Sequence, residues 1–305
     1  MENVYMEIYN ARNESIKKIH SKNKKKYIQN IGFSILFLSL IISAVFLFTI
    51  IIFVSVQGAK VLSIEFLINM PKKSMTAGGI LPAIMGTFYL ALGAVIFALP
   101  LGVLSAIYLN EYGRDNLFLR MLKIVINNLA GIPSIVFGIF GLAVFVKFFG
   151  FGVSILSGSL TLAIMILPVI ISTTLEALKS VPDSFREAAY GVGATKWQTV
   201  KGIVIPTALP GVLTGVILAI GRAAGETAPI LFTAATFFSK KLPASIFSPV
   251  QALPYHIYAL MTEGTFPDKQ VPIAYGSALV LVMLVLGMNL IAIIIRINQR
   301  KKRLW

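Results

Sequence analysis

The sequence predicts an all-α polytopic membrane protein with six transmembrane helices and both termini cytoplasmic. Three observations carry that expectation. Hydrophobic residues fill 57% of the 305 positions and charged residues only 13%, with a mean hydropathy of +0.84. Apolar runs recur along the chain at the ~20 residues a helix needs to cross a bilayer core. Lys and Arg are spread unevenly over the connections between those runs, as orientation by positive charge requires. A soluble domain does not have this composition. The net charge of +15 sits in short clusters between apolar runs, without interleaved aromatics or a nucleic-acid module, so it speaks for topology and against nucleic acid. With no cysteine and two scattered histidines, disulfides, thiolate metal sites and a histidine metal cluster are excluded, and no cofactor is expected.

Residues 1–30 are polar and basic, ending near the run Lys24-Lys25-Lys26, and read as a cytoplasmic arm. The apolar stretch Ile31 to Val56 is about twice the length of a signal-peptide core and lacks a small-residue cleavage site, so it reads as an uncleaved first span. With the external loop that holds Lys60, Lys72 and Lys73 it forms a segment 31–77. A second span runs from about Gly79 to Leu109, with Pro82 near its start and Pro100 inside, where a ring without an N–H usually kinks a helix.

The connection Asn110 to Lys123 carries Glu111, Arg114, Asp115 and Arg120 and reads as cytoplasmic. The third span, to about Lys147, contains the breaker pair Gly131 and Pro133. Asn127 and Asn128 should point into a helix bundle, because lipid leaves an amide unsatisfied. After an external loop Phe148 to Ser154, span four runs from about Ile155 to Leu178 with Pro168 inside, and span five from about Thr207 to Ala234. The external segment Ala235 to Gln270 has Pro243, Pro249, Pro254 and Pro267 and a helix candidate at Tyr255 to Leu260, long enough to be functional. His256 within it reads as an interfacial residue. The sixth span, about Val271 to Arg296, precedes a basic tail 298–305. On this division nineteen of the 27 Lys and Arg residues are cytoplasmic and seven external, with Arg222 alone inside a span.

Val181 to Pro206 is the least membrane-like stretch of the second half. Pro182 ends the preceding helix, and Ser184-Phe185-Arg186-Glu187 has the spacing of a capping box. A short helix through Glu187-Ala188-Ala189-Tyr190 should close at Gly191 and Gly193, which tolerate left-handed backbone angles. Ala194 to Lys201 can wind a second helix before Pro206. By itself this is an amphipathic cytoplasmic loop in which Glu187 caps a helix. Its full spacing, Glu187-Ala188-Ala189, three residues, Gly193, nine residues, Ile203, then Ile205-Pro206, resembles the EAA loop of ABC-importer permeases. Ile205 replaces the usual Leu. In that family the loop sits in a groove of the ATPase subunit, so the resemblance implies that Glu187, Ala188, Ala189 and Gly193 contact a partner ATPase. Gly191 to Lys196 falls short of a phosphate-binding loop, with no strand before it. The chain is therefore not expected to be an enzyme, and ATP hydrolysis is expected in a partner.

Within span five, Gly221-Arg222-Ala223-Ala224-Gly225-Glu226-Thr227-Ala228-Pro229 places two opposite charges at lipid depth. Four residues apart, Arg222 and Glu226 share a helix face and can pair. At ~2.5–3.5 kcal/mol each for insertion at a helix centre, they must face a bundle or a pathway. A structural ion pair is one reading. Anion passage is the other, since a guanidinium fork suits phosphate oxygens and a carboxylate can orient the fork or accept a hydrogen bond from protonated phosphate.

GRAAGETAPILFTA, with GIPSIVFGIFG at Gly131 to Gly141 and LPYHIY at Leu253 to Tyr258, resembles PstA-type phosphate ABC-importer permeases over roughly residues 78–297. The resemblance implies a type I ABC importer permease fold for 78–297, with the coupling loop at 181–206. It also implies a heterodimer with a PstC-like second permease, two copies of an ATP-binding cassette ATPase, an extracytoplasmic phosphate-binding protein, and a substrate pathway at Arg222, Glu226 and Thr227. A permease for sulfate or molybdate, and an ion-driven carrier, are the alternatives.

The absence of cysteine makes the orientation testable. Single cysteines at Ser184 and Ser248 should react with an impermeant thiol reagent in intact cells only at Ser248. Labelling at Ser184 from outside would reverse the proposed topology.

Overall fold

The computed structural model describes residues 2–73, 75–113, 116–238 and 242–301; for residues 2–28 and 299–301 it describes the backbone and, of the side chains, Met6 alone. The lysines of the arm, Arg114, Lys240, Lys241 and the basic side chains of the tail thus lie outside the description. Backbone contacts divide the chain into residues 1–54 and 55–305.

The first unit is one helix, the greater part of α1 (Glu2–Ala59). Its apolar portion, Gln29–Ala59, is long enough to span a membrane, and residues 30–54 keep almost all their side chains exposed, as a helix bathed by lipid does.

In the second unit a short helix α2 (Ile64–Ile68), capped by the Ser63 hydroxyl, leads to a two-stranded antiparallel turn, β1 (Pro71–Lys72) with β2 (Ala77–Gly78). The long helix α3 (Leu81–Ile107) continues through Pro100, and a π-helical turn, Tyr108–Tyr112, extends it. The third predicted span proves to be two helices, α4 (Leu117–Leu129) and α5 (Ser134–Gly141), the second lengthened by the π segment Leu142–Phe148. They meet at 102° across the Gly131–Pro133 break. Asn127 and Asn128 are exposed rather than turned into the bundle, because the bend ends α4 at Leu129, just beyond them. Helix α6 (Ile155–Lys179) starts at the capping hydroxyl of Ser154 and runs through Pro168.

The loop that follows forms α7 (Asp183–Gly191) and α8 (Lys196–Thr199). Ser184 is not its cap. Pro182 is the cap residue, without a side-chain bond, and the capping box occurs instead at Thr195 and Gln198, opening α8. That helix does not stop before Pro206. Through the π turn Val200–Val204 it becomes α9 (Ile205–Gly225), so a single apolar helix runs from Lys196 to Gly225. The predicted fifth span ends at Gly225, and 228–233 is a separate short helix α10 (Ala228–Thr233). The segment expected to be external carries α11 (Leu253–Thr262) before the last helix α12 (Pro267–Lys301). Among the described residues five helices can span a membrane, and the bent pair supplies a sixth crossing if counted as one span.

The core lies where α3, α6 and α9 meet, lined by Ala91, Ala94, Ala98, Met165, Ile166, Ile170 and Ala219. Where hydrocarbon surrounds the bundle, helices gain by close backbone approach rather than by escaping water. A Cβ on Gly102 would come within 2.6 Å of Ile170, one on Gly211 within 2.5 Å of Ala177, and one on Gly215 would strike Thr173. The segment 235–270 is pinned to α3 in the same manner. Thr87 donates its hydroxyl to the Ala83 carbonyl and accepts the Leu253 N–H at 2.7 Å, capping α11. One residue earlier, Gly86 lies against the Gln251 carbonyl. His256 is not interfacial. It is 2% exposed, neither ring nitrogen has a partner among the described residues, and burial pushes its pKa down to about 4, so it is neutral.

The contact at Gly86 involves backbone on both sides and cannot relax by a rotamer change. Gly86→Ala is therefore expected to destabilise the protein by about 1–3 kcal/mol or more, as overpacking does, and to lower its unfolding temperature in detergent. An unchanged unfolding temperature would contradict this packing.

Candidate functional site: a charged helix break and a loop of two short helices

Two places in the second unit carry chemistry. The first is the break between α9 and α10. Helix α9 ends at Gly225, and Glu226 has extended backbone angles (φ −78°, ψ 135°). The acid thus lies just past the helix rather than on its face. The pairing with Arg222 still forms, with Nε 3.5 Å from Oε1, and the side chains are 31% and 20% exposed. Breaking the helix here accounts for the charges as well as the backbone, because irregular backbone and ionised groups in a span are tolerated where they line a cavity or face protein.

Three features shape the surroundings. A Cβ on Gly225 would meet nothing within 4 Å among the described residues, so they leave this side of α9 open, whereas Ala223 and Ala224 are buried. On the inner side Glu226 borders a narrow gap with Thr87, Leu90, Leu162 and Pro254. On the third side, a Cβ on Gly221 would stand 3.9 Å from the Asn289 amide nitrogen of α12. The Oδ1 of Asn289 is buried and has no partner among the described residues. Asn289 was missed in the sequence; a lone amide in the apolar run Val271 to Ile295 was the available signal, since a polar group there needs a partner.

Thr227, the third expected pathway residue, is half-buried and precedes α10, accepting the Leu231 N–H with its carbonyl at 3.1 Å. The Gly-rich run Gly131 to Gly141 explains how α10 is held. A Cβ on Gly138 would lie 2.9 Å from the Ala228 carbonyl oxygen and 3.0 Å from Pro229 Cα, and Gly141 abuts Thr161 and Thr233. The motif thus acts by seating the short helix that follows Glu226 and Thr227.

The second place is the loop of α7 and α8. Glu187 and Ala188 are exposed, whereas Ala189, grouped with them by spacing, is 5% exposed. Its methyl packs into its own chain and seats α7, so the outward face is left to Glu187 and Ala188. Gly193 takes φ +82°, and its N–H reaches the Tyr190 carbonyl at 2.9 Å. Gly191 closes nothing by a left-handed turn and stays helical. Arg186, absent from the expected site residues, is the most connected side chain of the loop. It donates to Glu111 Oε1 at 2.8 Å, to the Val181 carbonyl at 2.8 Å, to the Leu178 carbonyl at 3.1 Å and to Asp183 at 3.1 Å. The hydrogen bond to Glu111 raises its pKa above the ordinary value, against the opposing effect of burial.

The family model for the binding-protein-dependent transport system inner membrane component matches residues 98–303. The chain belongs to that family. This permease is 36% identical to the probable ABC transporter permease protein YqgI of Bacillus subtilis (strain 168), over 79% of this chain and 85% of that protein. It is 41% identical to the phosphate transport system permease protein PstA of Mycobacterium leprae (strain TN), over 70% and 69%. The permease fold resembles a chain of a bacterial ABC transporter involved in import of the acidic polysaccharide alginate, at a TM-score of 0.61 and 15% identity, covering 88% of this chain and 95% of that one. The chain is thus a multi-pass cell-membrane permease subunit with the type I ABC importer fold.

No described residue comes within 4 Å of a Cβ on Gly193, so a side chain there meets only the backbone penalty of a left-handed angle, about 1–2 kcal/mol. Gly193→Val is expected to unseat the α7–α8 turn and reduce copurification of the ATPase. Gly193→Asn should do so least, because Asn tolerates that angle. Equal loss in the two variants would assign the effect to side-chain bulk.

Proposed function

We propose that this permease forms half of the translocation pathway of an ATP-driven phosphate importer. The observation that carries the reading is the Arg222–Glu226 pair at the break of α9, beside Gly225 on a side of the helix that this chain leaves open. A second permease of the PstC type would close that side in a heterodimer. Phosphate would then pass between the subunits, with the Arg222 fork on its oxygens, Glu226 holding the fork and Thr227 lending its hydroxyl. The relatives named as phosphate transport permeases, at 41% and 38% identity, support phosphate over sulfate or molybdate. They and the family also favour ATP drive over an ion-driven carrier. The ATPase activity would belong to two copies of a partner docked on Glu187, Ala188 and the Gly193 turn, and an extracytoplasmic binding protein would deliver the anion. The loop and both termini are then cytoplasmic, in accord with the distribution of Lys and Arg.

Arg222→Lys keeps the charge and loses the bidentate fork. The complex is expected to assemble, hydrolyse ATP and lose most uptake of radiolabelled phosphate, while sulfate and molybdate fail to compete in the unaltered protein. A buried pair broken by Arg222→Ala loses about 3–5 kcal/mol. This pair, partly open to water, should lose less. If the double change Arg222→Ala with Glu226→Ala assembles and still transports phosphate, the pair is structural and the substrate role is wrong.

A further inference from the structure

The docking loop must do more than bind. Movement of α7 on an ATPase has to reach the bundle, and an exposed helix on a short loop can tilt without moving anything above it. Its connections decide whether that happens.

Arg186 is where they converge. Its guanidinium joins three elements: the carbonyl of Leu178 at the end of α6, that of Val181 in the link to α7, and Glu111 in the π turn Tyr108–Tyr112 that extends α3. Its Nε adds a longer contact to Glu111 Oε2 at 3.4 Å. Glu111 is 5% exposed and Arg186 14%, and Asn110 donates to the same Oε1 at 2.8 Å. The π turn is gripped from α8 as well, where Lys196 Nζ stands 4.9 Å from the centre of the Tyr112 ring, within cation–π reach. Thus both helices of the loop hold the turn that ends α3.

We propose that Arg186 and Glu111 are positioning residues that transmit movement of the docking helix to α3 and α6, and through them to the break at Glu226. The inference rests on the docking role given to the loop above. A planar fork held by two carbonyls and a carboxylate fixes direction as well as distance, so α7 cannot tilt without carrying the ends of α3 and α6. Those helices pack on each other and on α9, which bears Arg222 and meets α6 at Gly211 and Gly215. Closely packed small-residue interfaces pass on such a displacement instead of absorbing it. Neither side chain contributes to the outward face formed by Glu187 and Ala188, so loss of the clasp separates ATP hydrolysis from transport without removing the dock.

The test uses the complete importer, with its ATPase and binding protein, in proteoliposomes. Three quantities are read: ATPase copurified, ATP hydrolysed, and radiolabelled inorganic phosphate moved per ATP. Copurification reports docking and uptake by the unaltered protein reports the substrate, so failure of either reading is seen apart from failure of the clasp. If the unaltered protein moves no phosphate, the part of hydrolysis stimulated by the binding protein replaces the ratio. Arg186→Lys keeps a charge that cannot reach all three elements at once. It is expected to copurify normally and to lower phosphate per ATP about tenfold, in the range of coupling energies. Normal copurification with an unchanged ratio, or loss of the ATPase itself, overturns the proposal. The second arm places Glu111→Cys with Arg186→Cys in this cysteine-free chain and joins them with a short bis-methanethiosulfonate. With free thiols the ratio should fall, with the bridge it should recover, and reductant should abolish it again. A bridged protein that stays uncoupled overturns the clasp.

Discussion

Everything in the membrane part depends on how closely α3, α6 and α9 approach one another. Lipid tails are as apolar as leucine, so helices there gain little from hydrophobic burial and must gain from contact. The chain meets this requirement with alanines along α3 and glycines along α9 set against side chains of α6. A larger residue at any of these places would part the helices and shift α9 bodily. Since α9 carries Arg222 at its end, the geometry of the charged break follows from contacts made one to three turns away.

The break itself is a compromise between backbone and charge. An uninterrupted helix would also set Glu226 one turn from Arg222, so the break is not needed for the pair alone. Ending the helix at Gly225 keeps Glu226 within reach of Arg222 and starts α10 at once against α5. That second contact requires a residue without a Cβ at Gly138, where the backbone of α10 begins. Two motifs far apart in the chain, one charged and one rich in glycine, thereby become parts of one device, the first providing the polar groups and the second the seat.

The other end of the bundle is organised around a shared apolar cluster. Ile107 and Leu109 from the end of α3, Leu178 and Val181 from the end of α6, and Val200 and Val204 from the start of the long helix pack together. Arg186 and Glu111 lie beside it, and the Arg186 guanidinium donates to the Leu178 and Val181 carbonyls at and just past the end of α6, where a helix C-terminus leaves acceptors in need of donors. Burial of both side chains makes this pair unlike the exposed Lys179–Glu176 bridge nearby, which is worth little.

The sequence by itself determined the fold class and most of the apolar helices. Composition and apolar run length dictate crossing helices because lipid accepts nothing else from a single chain segment. The spacing from Glu187 to Pro206 identified the loop, and two charges in an apolar run marked Arg222 and Glu226. Local signals also read correctly the break at Gly131 and Pro133, the left-handed Gly193 and the short helix near Tyr255. They failed wherever the answer depended on what lies across from a residue. Ala189 is written like Ala188 and is buried, His256 reads as interfacial and is enclosed, and Asn127 and Asn128 read as inward and are exposed. Arg186 and Glu111 are 75 positions apart and unremarkable alone, and nothing in the run of residues tells Thr195 from Ser184 as the side-chain cap that forms. Only the tertiary structure decided these, because burial, pairing and the end of a helix at Gly225 are properties of opposing surfaces, and a one-dimensional pattern records a residue's type but not its neighbour.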